Sequence, residues 1–137
     1  MLRNAFSGVF ASVVAMVALA AAPAVQAHHS FAGFDNQNQI KLKGTVTDFQ
    51  WGNPHVYIEM DVTADTGGHK SWTIECANPG ILNRIGWKFN MIKKGDELTV
   101  IVAPLRTGEP GALLKEVTLP DGRVFGNGGP AGPALIH

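Results

Sequence analysis

Apolar and polar residues begin to alternate at Ile40. In "IKLKGTVTDFQW" the small and apolar positions run Ile40, Leu42, Gly44 and Val46, then change phase to Phe49 and Trp51. A period of two marks a strand with one buried face. The phase change, with Gly44 inside the strand, predicts a bulge or a sharp bend. "HVYIEMDVTA" alternates without interruption, with Val56, Ile58, Met60 and Val62 on one face and Tyr57, Glu59 and Asp61 on the other. "TADTGGH" predicts a hairpin, because paired glycines accept positive φ. "KSWTIECA" then sets Trp72, Ile74 and Cys76 on one face of a third strand.

The period changes after Ala77. Asn78 is placed as an N-cap, Pro79 as the first helical residue, and Ile81, Leu82 and Ile85 form an apolar helical stripe that Gly86 ends. "KKGD" predicts a turn. "ELTVIVAPL" is a fourth strand, with Leu98, Val100 and Val102 alternating. After the "RTGEPGA" loop, "LLKEVTL" is a fifth, and "PDGRVF" adds a hairpin turn with a short extension. Three strands, a helix and two strands, with a bent first strand, fit a mainly β fold: a five-stranded OB-like Greek-key barrel with one short helix between strands 3 and 4. A small β-sandwich with one helix is the alternative.

The ends read differently. Residues 1–27 have the form of a secretory signal: Arg3, an apolar stretch from Val9 to Ala22, Pro23, and the small-residue site Val25-Gln26-Ala27. The apolar stretch is shorter than the roughly 20 residues of a spanning helix, which sets the membrane-anchor reading second. Cleavage is placed after Ala27, with Ala22 and Ala24 as alternative sites. Residues 28–39 form an N-terminal arm in which Phe31 and Phe34 are candidate anchors; 40–125 form the single domain; 126–137 form a Gly/Pro-rich tail expected to be disordered.

Composition narrows the function classes. Removing 27 of 137 residues leaves 110, a single-domain length. The full chain balances eleven Lys and Arg against eleven Asp and Glu, and loss of Arg3 leaves a net charge of −1. That balance points away from nucleic acid and from anionic membrane surfaces. Cys76 is the only cysteine, which rules out an intramolecular disulfide and suits a buried small hydrophobe. Phosphate loops, a Ser/His/Asp order and paired CxxC motifs are absent, and no complete catalytic constellation is found. The chain is therefore read as a binding module rather than an enzyme, exported to the periplasm or secreted.

Several segments in order resemble one family: "AHHSF" at 27–31, "WGNPHVYIEMDV" at 51–62, "WTIECANPGILNRIGW" at 72–87, "KKGDELTVIVAPLRTG" at 93–108 and "LPDGRVF" at 119–125. They are similar to a group of small exported bacterial proteins classed as a domain of unknown function. The resemblance implies export and a β-rich fold, and it implies no activity. Cys76 and the Gly/Pro tail are departures from it.

The candidate chemistry lies in the histidines. Cleavage after Ala27 makes His28 the new amino terminus, where the α-amine and the ring Nδ1 can chelate one metal ion. A third nitrogen from another histidine would complete a T-shaped set. Such nitrogen-rich coordination suits Cu(II), and binding displaces the α-amine proton near neutral pH. His55, at the start of a strand and stiffened by Pro54, is the candidate third ligand, with His29 as an additional one. His69 falls in a hairpin turn and His137 in the tail. The plain alternative is polar sequence that a peptidase tolerates, with His55 fixing a loop. Glu59, Asp61 and Glu75 read as a solvated strand face. Trp51, Trp72, Trp87 and Tyr57 are candidates for an aromatic platform, with Trp51 placed beside the "GNPH" loop. Two further readings follow: an accessory protein whose arm docks on a periplasmic or membrane enzyme complex, and a binder of oligosaccharide or a small ligand near Trp51.

Overall fold

The computed structural model describes residues 31–128. Six strands and one helix follow in the order β1 (Ile40–Gln50), β2 (Tyr57–Thr63), β3 (His69–Glu75), α1 (Pro79–Arg84), β4 (Glu97–Pro104), β5 (Gly111–Thr118) and β6 (Val124–Gly126). The strand order is β3-β2-β1-β4-β5, and a parallel pairing of Thr73–Glu75 with Gly111–Leu113 joins β3 to β5. That pairing closes the sheet into a five-stranded barrel of OB type, as expected, and not into a sandwich. β6 adds to β5 further along the same edge, through Glu116–Thr118.

β1 holds the barrel together because it pairs with β4 over its first half and with β2 over its second. To serve both it must bend, and the phase change read from the sequence is where it does. Val46 pairs with Met60 and Asp48 with Glu59, which leaves Thr47 as the extra residue of a bulge. Gly44 marks a second constraint. A Cβ there would lie 2.5 Å from the carbonyl oxygen of Asp61, so β2 crosses too closely for any side chain. A second bulge in β5, at Lys115, completes the closure against β4.

The inward residues are those the alternation selects. Val46, Ile58, Met60, Ile74, Leu98, Val100, Val102, Leu114 and Val117 are all buried, and among the described residues no polar or charged residue is. Each large aliphatic side chain so buried contributes about 1.5–3 kcal/mol. This core stabilises the fold without a disulfide, since Cys76 is free and buried within it.

Helix α1 caps as expected: the Asn78 side chain accepts from the Ile81 backbone N–H at 2.9 Å, and Pro79 opens the first turn. Gly86 follows with φ 99°. The expected apolar stripe is only partly used. Six residues make under two turns, and Leu82 alone is buried, while Ile85 remains 41% exposed. The chain compensates with Trp87 and Ile92, which join Leu82 in the core.

Both flanks of the domain are tied to it. Phe34 is buried against Ala103 and Leu113 on the outer side of the barrel, and its backbone bridges to Leu105. Phe31 is 55% exposed, so Phe34 is the anchor of the two. At the other end, pairing continues one residue past Phe125. The Trp87 indole N–H donates to the Gly126 carbonyl at 3.0 Å, and the Asn127 side-chain oxygen accepts from the Ala77 N–H at 2.7 Å. These two bonds tie Gly126 and Asn127, the first residues of the predicted tail, to the barrel. The expectation for 129–137 lies outside the described residues, as do those for 1–27, His28 and His29. Among the described residues no helix is long and apolar enough to cross a membrane.

Candidate functional site

His55 stands just ahead of β2, after a cis Asn53–Pro54 peptide. The ladder between β2 and β3 runs on past its named ends: Cys76 N–H donates to the Val56 carbonyl and Val56 N–H to the Ala77 carbonyl. This extension fixes the backbone on both sides of the ring. Nδ1 of His55 lies 2.9 Å from the Cys76 carbonyl oxygen. A carbonyl can only accept, so Nδ1 carries the proton and donates. In the neutral ring Nε2 is then the unprotonated nitrogen. Metal-binding histidines are oriented in this way, one nitrogen donating to a carbonyl while the other keeps its lone pair for the ion.

Glu75 and Tyr57 complete the surroundings. They face each other across the β2–β3 ladder. A carboxylate oxygen of Glu75 is 3.6 Å from His55 Nδ1, and the Tyr57 ring meets the His55 ring edge-on at 6.5 Å. The His55 and Glu75 side chains are 28% and 18% exposed, which places them in a shallow, partly dried setting. Burial raises the Tyr57 phenol above its usual range, and the negative charge of Glu75 adds to the effect. Burial, with Glu75 again contributing, pushes the Cys76 thiol far up, so this sulfur is neither a nucleophile nor a ready ligand at neutral pH.

Alternation puts Tyr57, Glu59, Asp61 and Thr63 on the outward face of β2, and His69, Ser71, Thr73 and Glu75 on that of β3. The face carries three carboxylates and no Lys or Arg. It is more structured than a solvated strand face: the Thr73 hydroxyl donates to Glu59 at 2.8 Å, and His69 Nδ1 meets Asp61 at 3.1 Å. His69 is the first residue of β3 rather than a turn residue, and it sits at the far end of the face from His55.

The aromatic platform does not form. Trp87 is fully buried. Trp51 is half-buried and tilted against Phe49 at 5.9 Å, and Trp72 packs partly into the core across from Met60. Sequence reasoning set Glu75 aside as one strand-face carboxylate among several. Its cross-strand partner Tyr57, two residues after His55, was the available signal. Among the described residues no three His, Cys, Asp or Glu side chains converge as a metal site; His55 is the one proposed ligand they include.

The chain belongs to a family of unknown function, DUF6152, whose model matches residues 14–114. No curated protein matches it. Solved structures similar to it include the mitochondrial single-stranded DNA-binding protein Rim1 from S. cerevisiae, at 14% identity over 61% of this chain and 93% of that one, with a TM-score of 0.47. TiaS, solved in complex with a tRNA and ATP, is similar at 18% identity over 59% of this chain and 18% of that one, with a TM-score of 0.44. The likeness is one of barrel shape and carries nothing about ligands.

Proposed function

We propose that this member of a family of unknown function is an exported binding module that holds a metal ion, copper by preference, between a processed amino terminus and His55. Cleavage after Ala27 would supply the α-amine and ring of His28, with His29 adjacent. The observation that carries the reading is the hydrogen bond from His55 Nδ1 to the Cys76 carbonyl, which leaves Nε2 as the free nitrogen. Neutral imidazole with amine nitrogen is the donor set that Cu(II) prefers among common divalent ions.

Phe34 packs on Leu113, which neighbours Glu75, which in turn neighbours Tyr57. At about 4.8 Å per strand, Leu113 is roughly 10 Å from the strand that begins beside His55. Residues 31–34 form a turn, in which the Phe34 N–H donates to the Phe31 carbonyl, so the reading requires the three residues ahead of Phe31, about 10 Å of extended chain, to carry His28 to His55. The role would be carriage or presentation of the metal in the periplasm. The acidic β2–β3 face favours a cation over nucleic acid, because three carboxylates there repel a phosphate backbone.

Cu(II) titration of the mature protein tests the reading. His28→Ala and His55→Ala should each weaken binding at least tenfold, about 1.4 kcal/mol. Unchanged affinity in both variants would reject it. A second reading, an accessory protein docking through its arm, draws on the exposure of Phe31. Recovery of the same partner by protein lacking residues 28–33 would reject that version.

A further inference from the structure

The opposite end of β2 carries a second, unrelated feature. A cleft of about 670 Å³ opens between the first half of β1 and the β2–β3 hairpin. Its size lies in the 300–1,000 Å³ range of small-molecule sites. Leu42, Val62 and Trp72 form its apolar part. All three are inward-facing positions, yet Leu42 and Trp72 are only half-buried, because the barrel has no further layer of side chains to cover them here. Lys41, Lys43 and Lys70 line the same cleft, with Asp65 as its one acid. The three lysines are exposed, and none lies within ion-pairing distance of a carboxylate among the described residues.

From this we infer that the cleft binds a small organic anion with a flat apolar body, a carboxylate or a sulfonate. The reasoning is one of matched parts. Trp72 offers a broad ring surface against which a planar group gains contact area. The lysines supply mobile point charges at the rim, where an anionic group can keep part of its water. Two net positive charges on a chain of near-zero total charge set this spot apart from the acidic face described above, which would repel the same ligand. Tyr57 and Thr63 are six residues apart along β2, roughly 20 Å. The cleft therefore stands independently of the metal proposal.

The test uses two fluorescent probes of similar shape: 8-anilinonaphthalene-1-sulfonate and its neutral relative N-phenyl-1-naphthylamine. The folded protein should bind the sulfonate with one-to-one stoichiometry, and amide shift changes on titration should centre on Leu42, Val62 and Trp72. Replacing Lys41, Lys43 and Lys70 together by Gln should weaken the sulfonate about tenfold and change the neutral probe less than twofold. Trp72→Leu should weaken both probes. Each lysine is exposed, so the triple variant should keep the wild-type melting temperature, which the same samples report. No saturable binding, shift changes centred elsewhere, or a triple variant that binds the sulfonate as the wild type does would overturn the inference. So would displacement of the sulfonate by a short oligothymidylate at lower concentration than by naphthalene-1-sulfonate, since that ranking belongs to a nucleic-acid groove.

Discussion

Replacing Gly44 by Ala should destabilise the barrel, although the same change in most strands is favourable. An ordinary Gly→Ala replacement at a compatible position gains about 0.4–1 kcal/mol, because the unfolded chain loses freedom. At Gly44 the new Cβ would sit 2.5 Å from the Asp61 carbonyl oxygen and 3.1 Å from the Val62 Cα. Both are backbone atoms of β2 held in the ladder with β1, so relief requires the two strands to separate. Overpacking of this kind costs typically about 1–3 kcal/mol. After the entropic gain, a net loss of about 1.3 kcal/mol remains at the middle of these ranges, and in a domain near 100 residues this lowers the melting temperature by about 5–10 °C. Two controls isolate the cause. Gly111→Ala meets the Leu105 Cδ1 at 2.6 Å, the end of a side chain that can turn away, and should cost less than half as much. Gly68→Ala meets nothing within 4 Å and should show only the entropic gain, about 0.4–1 kcal/mol. Thermal unfolding followed by circular dichroism measures all three. A Gly44→Ala protein melting within 2 °C of wild type would refute the reasoning.

Two more expectations follow from the core. Cys76 should resist a disulfide reagent such as Ellman's reagent at pH 8 in the folded protein and react fully in denaturant, since burial holds it as the thiol. Because its folded value is raised above the ordinary 9.0, stability present below pH 9 should be lost as pH rises beyond it, by up to about 1.4 kcal/mol per pH unit for one proton; urea titrations of Cys76→Ala across pH 8–10.5 should show a shallower slope. Asn127→Ala leaves the half-buried Ala77 N–H without its partner, which should cost about 1–3 kcal/mol and speed amide exchange at Ala77; an unchanged exchange rate would mean that residue 127 does not hold the end of the domain.

The barrel was legible because its strands alternate strictly. β2 reads as inside and outside residue by residue, and the bulge at Thr47 shows as a phase change between Val46 and Phe49. The cap at Asn78 was equally local. What a single chain could not display were the contacts between distant segments. The hold of Asn127 on Ala77 spans fifty residues, and nothing in "GNGG" distinguishes it from a loose linker. The helical stripe misled for a related reason: Ile81, Leu82 and Ile85 have the right spacing, but a helix this short buries one of them and leaves the rest to Trp87. For the site, sequence supplied His55 and its place ahead of a strand. The tautomer that leaves Nε2 unprotonated depends on the Cys76 carbonyl, twenty-one residues away, and is set by tertiary pairing alone.

The central claim is that an exposed α-amine at His28 and the free nitrogen of His55 share one copper ion. The most direct measurement is intact mass and N-terminal sequencing of the exported protein, followed by Cu(II) titration of that sample beside the same chain acetylated at its amino terminus. The account predicts a start at His28, one copper per chain, and binding at least tenfold weaker after acetylation. A different amino terminus, or equal affinity with the amine blocked, would contradict it.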